Sequence, residues 1–224
     1  MGVNERREKE KQIRRNDIID AAEKVIFSKG YDSATMDDIA KEAEFSKRTV
    51  YIYFNSKEQL YFEIMVRGYK ILIQMIEASL NDVKGKNSLE RIKQIGKTLY
   101  NFNNEYPDYF KAIMSYENGE KDFANGVPDE SREECYALGE IIFGCLTSEL
   151  TDGIREGLIR SELDVTNTAI LLWSCVIGLF NTATKKRNYI EHYHKRNSEE
   201  LLLEGLDFLA ESIKNKIEVE ENEK

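Results

Sequence analysis

Residues 35–57, with the sequence TMDDIAKEAEFSKRTVYIYFNSK, constrain the fold more than any other part of the chain, because three helix starts fall within them. Thr35 with Asp38 makes a capping box, in which a hydroxyl oxygen and a carboxylate satisfy the free N–H groups of a first helical turn. Ser46 and Ser56 are capping residues for two further helices. The segment therefore predicts two short helices joined by a tight turn, followed directly by the start of a longer helix.

The same segment contains the most strand-like run of the chain, at residues 50–54. Its β-branched and aromatic residues favour a strand when they are taken alone. A helix, however, places Val50 and Phe54 on one inward face and leaves Lys47 and Arg48 to project outward. We therefore expect a short helix here.

The charges of this segment are one-sided. Residues 45–57 contain no acidic residue, and their only charged side chains are Lys47, Arg48 and Lys57. The first 60 residues hold 12 basic and 12 acidic residues, so the remainder carries the whole net charge of −9. A local basic surface in an acidic chain indicates an anionic partner such as a phosphate backbone. The alternative is a solvated basic turn of a helical bundle, which requires capping, turn length and charge to agree by chance.

The residues around this segment follow a wider pattern. Its elements are Ile18, Ala21-Ala22, Phe27, Gly30-Tyr31, Thr35, Asp38-Ile39-Ala40, Ser46, Thr49-Val50-Tyr51, Tyr53-Phe54 and Ser56-Lys57-Glu58-Gln59-Leu60. At this spacing, from about Arg14 to Leu60, the chain resembles the DNA-binding domain of the tetracycline-repressor (TetR) family of bacterial transcriptional regulators. Glu44 departs from the pattern, since the family usually has glycine in the turn. A left-handed backbone there would strain a residue with a Cβ atom.

The resemblance implies roles for seven side chains of the DNA-binding segment. It places three over base edges in the major groove, namely Lys47, Arg48 and Tyr51. It places four on phosphates, namely Thr35, Thr49, Tyr53 and Lys57. The chemistry agrees, because an arginine fork matches guanine O6 and N7, a lysine reaches the same acceptors, and a tyrosine ring suits the thymine methyl group.

The amino terminus is also basic. Residues 1–15 hold six Lys and Arg residues against three Glu residues. Such an arm adds minor-groove or backbone contacts in other helix-turn-helix proteins. Because Glu5, Glu8 and Glu10 are interleaved with the basic residues, a solvated helix end is the favoured interpretation.

The whole chain is predicted to be all-α, because it contains only two prolines, Pro107 and Pro128, and few turn pairs. With the N-terminal three-helix helix-turn-helix domain we expect about nine helices, the later ones at residues 57–81, 88–104, 107–118, 129–157, 165–187 and 198–217. Pro107 suits a first helical turn, Gly157 a helix end, and Asp164 and Asn197 helix starts. Residues 1–56 are predicted to form the DNA-binding domain, with the basic arm at its start. Residues 57–218 are predicted to form a helical domain for effector binding and dimerisation. Residues 219–224 are predicted to be a charged, disordered tail.

Two C-terminal helices predict a homodimer. The helix at 165–187 is apolar on nearly every side, and the last helix repeats this composition, so a second subunit is expected to cover them. The resemblance also implies dimerisation through the last two helices. The expected interface residues are Trp173, Ile177, Phe180, Leu202, Leu206 and Leu209. A two-fold dimer predicts a palindromic operator in double-stranded DNA.

The resemblance further implies a pocket for a small-molecule effector in the second domain. The candidate lining is a tyrosine-rich set comprising Tyr100, Phe102, Tyr106, Tyr109, Phe110, Met114, Tyr116, Tyr136, Phe143 and Trp173. Aromatic rings with a few hydroxyl groups suit an apolar ligand that needs orientation. Packing in the core is the alternative for each residue, and the sequence does not select a ligand.

The remaining features exclude several other classes of protein. The longest apolar run, residues 169–180, is shorter than the roughly 20 residues that cross a bilayer, and no targeting segment is visible, so we expect a cytoplasmic protein. The cysteines do not resemble a disulfide framework and are expected to be buried thiols, at Cys135, Cys145 and Cys175.

No catalytic or metal centre is predicted. His192 and His194 lie in a polar segment, residues 188–197, that we expect to be an exposed loop without a metal. No phosphate loop, dinucleotide fingerprint or nucleophile elbow is present, so neither a cofactor nor an enzyme is expected.

Together these observations predict a dimeric, ligand-responsive transcriptional regulator. In the family it resembles, such proteins are most often repressors that a small molecule releases from a palindromic operator. The alternative is an activator or an architectural DNA-binding protein without small-molecule release. The architectural protein would show weak sequence preference and a steep salt dependence.

Overall fold

The computed structural model describes residues 2–117 and 130–215. Within these ranges the chain forms ten α-helices: α1 (Val3–Lys29), α2 (Met36–Glu42), α3 (Lys47–Tyr53), α4 (Lys57–Asp82), α5 (Ser88–Glu105), α6 (Pro107–Glu117), α7 (Glu130–Arg155), α8 (Val165–Lys185), α9 (Arg187–Tyr193) and α10 (Ser198–Ser212). The all-α prediction is therefore confirmed. The predicted tail at 219–224 and the turn containing Pro128 lie outside the described residues.

The predicted caps of α2 and α3 are confirmed. Thr35 Oγ1 accepts a hydrogen bond from Asp38 N at 3.1 Å, and Asp38 Oδ2 accepts one from Thr35 N at 3.2 Å. Ser46 Oγ accepts from Thr49 N at 3.1 Å. The strand-like run is helical as far as Tyr53, because a capped first turn and inward packing outweigh its local β propensity.

The turn between α2 and α3 has a left-handed residue at the position where the sequence departs from the family pattern. Glu44 has a φ of 56°, and the next residue, Phe45, donates its N–H to Ala40 O at 3.0 Å. A Cβ atom is strained in this region of backbone space. The strain expected from the sequence is therefore present.

Replacing Glu44 with glycine is expected to stabilise the protein by about 0.5–1 kcal/mol, because relief of left-handed strain exceeds the extra entropy of an unfolded glycine. Thermal denaturation measures the change. Glu44→Ala keeps the Cβ atom and serves as the control, with a melting temperature close to that of the parent protein. A lower melting temperature for Glu44→Gly would contradict the strain at this position.

The chain divides into two compact units. The first comprises Met1–Ile71 and Tyr106–Leu138, and the second comprises Leu72–Glu105 and Gly139–Lys224. These units do not coincide with the domains predicted from the sequence, which meet at residue 57. The predicted domains were defined by function, and that division stays a prediction. Among the fully buried side chains of the first unit are Ile18, Ile39, Val50, Phe54, Leu60 and Ile64.

The second unit has its own core, formed by Leu89, Ile92, Leu150, Ile159, Ala169, Leu172 and Ile213. Helix α7 ends at Arg155, two residues before the Gly157 at which the sequence predicts the end, and Gly157 has a φ of 73°. The N–H groups of Leu158 and Ile159 then donate to Gly153 O at 2.9 and 3.0 Å. A Cβ atom on Gly153 would lie 2.4 Å from Ile159 Cδ1, so the close return of the chain over α7 requires glycine there.

Three expectations from the sequence need correction. The segment predicted as a loop at 188–197 contains α9, so His192 lies on a short helix. Of the three cysteines only Cys135 is buried, whereas Cys145 is half-buried and Cys175 is exposed. By length and composition, helix α8 as a whole could cross a membrane. The apolar run within it, residues 169–180, is shorter than a membrane span.

The side chains of His192 and His194 are both exposed. His192 Nδ1 lies 3.1 Å from Asn188 O. Among the residues that the structure describes, no group of three or more His, Cys, Asp or Glu side chains could hold a metal ion.

Candidate nucleic-acid interface

Helix α3 has an inward and an outward face. Val50 and, at the C-terminal cap, Phe54 are fully buried and attach the helix to the core of the first unit. Positions i, i+1, i+4 and i+5 lie on one side of a helix. Four exposed side chains occupy those positions on the opposite side, which we call the α3 outer face: Lys47, Arg48, Tyr51 and Ile52.

The structure thus brings together the three side chains predicted to read bases, although their contact with bases stays a prediction. Ile52 was missed from the sequence, where it was grouped with the strand-like run. It is 72% exposed and adds an apolar group to the outer face beside Tyr51. Its place one residue after Tyr51 on the outer face is the signal that could have identified it.

Lys47 has an acidic partner in the free protein. Its Nζ lies 2.6 Å from Asp37 Oδ1, and this hydrogen bond with Asp37 raises the pKa of the Lys47 ammonium. Both side chains are more than half exposed, so the pair is screened by water and is weak. Lys47 can therefore exchange Asp37 for a nucleic-acid acceptor at small cost.

Two of the predicted phosphate contacts, Thr35 and Thr49, have hydroxyl groups in helix caps. Thr35 Oγ1 lies 2.7 Å from Asp38 Oδ2, and Thr49 Oγ1 lies 2.8 Å from Ser46 Oγ. Both lie in or beside the first turn of a helix, Thr35 exposed and Thr49 half-buried, where free backbone N–H groups suit an anion. Tyr53, the third, is half-buried.

Asp38 keeps the start of α2 charged at neutral pH. Hydrogen bonds from Lys29, at 2.7 Å, and from Thr35 lower the pKa of the Asp38 carboxyl to about 2. A lowered carboxyl pKa contributes stability that is present above the unfolded value and is lost as the pH falls toward the folded value. The α2 cap is therefore intact throughout the neutral range and weakens only in acid.

Lys57, the fourth predicted phosphate contact, holds a loop in the free protein. Its Nζ donates to Tyr31 O at 2.5 Å, to Ala34 O at 2.8 Å and to Asp32 O at 3.4 Å. It also lies 4.4 Å from the centre of the Tyr31 ring. The three ammonium hydrogens are therefore directed at the loop that leads to Thr35, and the phosphate contact of Lys57 stays a prediction.

A buried carboxylate connects three helices of the first unit. Glu63 on α4 accepts hydrogen bonds from Arg15 on α1 and from Ser131 Oγ on α7, the latter at 2.5 Å. The Arg15 guanidinium also lies 5.1 Å from the centre of the Phe54 ring. Because Phe54 is the C-terminal cap of α3, this network runs from α7 to the end of the helix that carries the outer face.

A second network connects α6 to α1 and α4. Tyr109 on α6 donates its hydroxyl to Glu23 on α1 at 2.8 Å, and Glu23 also accepts from Arg67 on α4 at 2.8 Å. Burial and the bond to Glu23 raise the pKa of Tyr109, so its hydroxyl keeps its proton. Gly68 permits the approach, since a Cβ atom there would lie 3.2 Å from the Tyr109 side chain.

The predicted pocket residues are divided between the two units. The first unit contains Tyr106, Tyr109, Phe110, Met114, Tyr116 and Tyr136, and the second contains Tyr100, Phe102, Phe143 and Trp173. Phe110 is buried, Tyr100 donates its hydroxyl to Glu199, and Phe143 packs against the core of the second unit. The ligand pocket that they were predicted to line stays a prediction.

These features together define a helix-turn-helix transcriptional regulator. Residues 18–64 match the family described as "Bacterial regulatory proteins, tetR family". The "Fatty acid metabolism regulator protein" of Bacillus subtilis is 30% identical over 161 residues, which cover 70% of this chain and 76% of that protein. The "HTH-type transcriptional repressor NicS" of Pseudomonas putida is 24% identical over 166 residues, which cover 71% of this chain and 72% of that repressor.

A solved structure shares the fold. The crystal structure of the transcriptional regulator FadR from Bacillus subtilis, in complex with stearoyl-CoA, aligns with a TM-score of 0.64 and 22% identity. The alignment covers 88% of this chain and 98% of FadR. The present chain belongs to the tetR family of bacterial regulatory proteins.

Proposed function

We propose that this protein is a homodimeric repressor that reads a palindromic operator with the α3 outer face and leaves it when an acyl-CoA binds. The observation that carries the proposal is the outer face itself. It presents an arginine, a lysine, a tyrosine and an isoleucine from one capped helix, in a segment without acidic residues. Arginine and lysine suit guanine, whereas the ring of Tyr51 and the side chain of Ile52 suit thymine methyl groups.

The proposed subunit interface differs from the residues expected from the sequence. Phe180, Leu202 and Leu206 are already buried within a single chain, so they cannot bury much further area against a partner. We place the interface instead on the exposed stripe of α8, at Leu171, Ser174, Cys175, Gly178 and Thr182, together with Phe208 of α10, which is 72% exposed.

Small side chains support this choice. Ser174, Cys175 and Gly178 recur at helical spacing, so another helix can approach α8 closely. Leu171, 65% exposed, would supply apolar area at one end of the stripe. In a two-fold dimer the same surface of each subunit meets its copy. The partner's stripe would then cover the apolar surface of α8, so no bilayer is needed to explain it.

Mild oxidation of the wild-type protein with copper phenanthroline is expected to join most chains as disulfide-linked dimers. A two-fold axis near the middle of the α8 stripe would bring the two Cys175 residues within disulfide range. Non-reducing gel electrophoresis measures the product. Cys175→Ser should abolish it, and Cys145→Ser, which removes the half-buried thiol, should leave it unchanged. Dimers that persist in Cys175→Ser would place the interface elsewhere.

The proposed effector class rests on the relatives. One relative is a fatty acid metabolism regulator, and a structure of the same fold contains stearoyl-CoA. The structure of the present chain supports a route by which an effector could act. Glu63 and Tyr109 bond α7 to α4 and α6 to α1. A ligand that favours a different position of α6 or α7 would therefore shift the population of DNA-binding dimers.

The first experiment is selection of sheared genomic DNA by the purified protein at physiological salt. Recovery of a few palindromic fragments supports a specific regulator, and uniform, salt-labile retention would favour the architectural alternative. A recovered operator is then titrated with stearoyl-CoA, with free coenzyme A as the control. Release by stearoyl-CoA alone supports the effector class, and unchanged operator affinity would overturn it while leaving the regulator intact.

The same proposal includes a cytoplasmic location and no catalytic activity. Its support is that the relatives are transcriptional regulators. Incubation of the protein with stearoyl-CoA tests the second point, since an enzyme acting on the thioester would release free coenzyme A over time.

A further inference from the structure

The first unit contains a cleft of about 830 Å³, and one of the predicted pocket residues, Tyr116, is part of its lining. The end of α1, the start of α4 and α6 enclose it. Four aromatic side chains form much of its wall, namely Phe27, Tyr31, Tyr61 and Tyr116. The volume lies within the range of pockets that bind drug-sized molecules.

The charged groups that line this cleft are mostly acidic. Three carboxylates, those of Asp32, Glu58 and Asp108, line it together with one ammonium group, that of Lys111. The lining therefore carries a formal charge of −2 at neutral pH. Such a lining repels an anion such as an acyl-CoA and attracts a cation.

We propose that this cleft is a second effector site, and that it binds a small organic cation with a flat apolar body. Aromatic faces attract cations through their negative electron density, and the carboxylates supply the opposite charge. The site is independent of the acyl-CoA proposal, because the two ligands carry opposite charges.

The wall of the cleft is held in place before a ligand arrives. Tyr61 donates its hydroxyl to Ala112 O at 2.8 Å, which joins α4 to α6. Burial, with smaller effects from Tyr31 and Asp32, raises the pKa of Tyr61 to about 12, so the hydroxyl remains a donor at neutral pH. The rings of Tyr31 and Tyr61 lie 4.6 Å apart between centres. A ligand therefore meets a preformed aromatic surface.

The position of the cleft gives its ligand a route to the DNA-binding segment. Tyr31 and Asp32 belong to the loop that Lys57 holds through backbone carbonyls. The Lys57 ammonium lies over the Tyr31 ring, so a bound cation competes with Lys57 for the same aromatic ring. The loop leads directly to Thr35, the cap of α2.

Fluorescence anisotropy of two xanthene dyes with the free, full-length protein tests the site. Rhodamine 6G is cationic and fluorescein is anionic, although the two share a tricyclic frame. We expect rhodamine 6G to bind and fluorescein not to bind. Asp108→Asn should weaken rhodamine 6G binding about five- to tenfold, and Lys111→Gln should tighten it several-fold, as expected for removal of one charge from a partly exposed site.

The controls separate the cleft from the overall charge of the protein. Asp82→Asn makes the same charge change at an exposed position in the second unit and should leave the dye affinity unchanged. If Asp108→Asn lowers the melting temperature, Glu58→Gln provides the second carboxylate variant with the same expected loss. Equal binding of fluorescein, or equal effects of Asp82→Asn and Asp108→Asn, would overturn the proposal without bearing on operator binding or on stearoyl-CoA.

Discussion

Replacing Arg48 with alanine is expected to weaken operator binding by about 2–6 kcal/mol, because each of two half-sites loses a base contact worth about 1–3 kcal/mol. The reason lies in the geometry of α3. Arg48 is exposed in the middle of the outer face, and only a guanidinium offers the paired donors that match guanine O6 and N7. We expect the loss to be specific, so that binding to random DNA changes much less than binding to the operator.

Titration of operator and random DNA with Arg48→Ala at one fixed salt concentration measures this difference. Arg196→Ala, at an exposed position in the second unit, removes the same charge away from α3 and is the matched control. Equal loss on operator and random DNA would mean that Arg48 contacts phosphates rather than bases. Arg48→Lys keeps the charge but not the fork, and should recover only part of the operator affinity.

Replacing Arg15 with methionine is expected to destabilise the protein by about 2–3 kcal/mol, less than the 3–5 kcal/mol of a fully buried pair because Arg15 is partly exposed. The side chain of Glu63 is 10% exposed, whereas that of Arg15 is 32% exposed. Removal of Arg15 therefore leaves a buried carboxylate that keeps Ser131 as its donor among the residues that the structure describes. Removal of the carboxylate instead leaves a guanidinium that can turn to water.

The melting temperature measures this asymmetry, and a fall of about 4–12 °C is expected for Arg15→Met in a chain of this size. Glu63→Met should cost less, and the double variant Arg15→Met/Glu63→Met should recover part of the loss, since no buried charge remains. Arg14→Met, at the exposed neighbouring position, is the control. Equal melting temperatures for Arg14→Met and Arg15→Met would show that the Arg15–Glu63 pair contributes little to stability.

Local chemistry explains why the DNA-binding segment was predictable. The caps at Thr35 and Ser46 depend on residues three positions away, and the left-handed turn at Glu44 depends on its own backbone. Such short-range interactions can be inferred from the sequence, because every participant lies within one helical turn. The end of α7 near Gly157 was predictable for the same reason.

Long-range contacts explain what the sequence did not predict. Lys57 contacts carbonyl groups about 25 positions earlier in the chain, and Glu63 contacts Arg15 and Ser131 from helices far apart in sequence. No periodicity connects such residues. The sequence therefore predicted a phosphate contact for Lys57. In the tertiary structure its ammonium group donates to backbone carbonyls of a loop.

The C-terminal helices show the same division. The apolar composition of α8 and α10 was sufficient to predict that a second surface must cover them. It could not decide which apolar side chains that surface meets, since α8 carries both Leu171 and Phe180, and α10 carries both Leu206 and Phe208. Packing within the chain buries the first two and leaves the second two exposed.

The sequence by itself thus determined the helical class, the caps of the DNA-binding helices and the residue types of the α3 outer face, because these depend on neighbours along the chain. Only the tertiary structure decided which side chains remain exposed on α8, which helices share Glu63, and where aromatic rings and carboxylates enclose a cleft. Those features arise when distant segments pack together, and the energy of that packing depends on three-dimensional proximity rather than on spacing in the sequence.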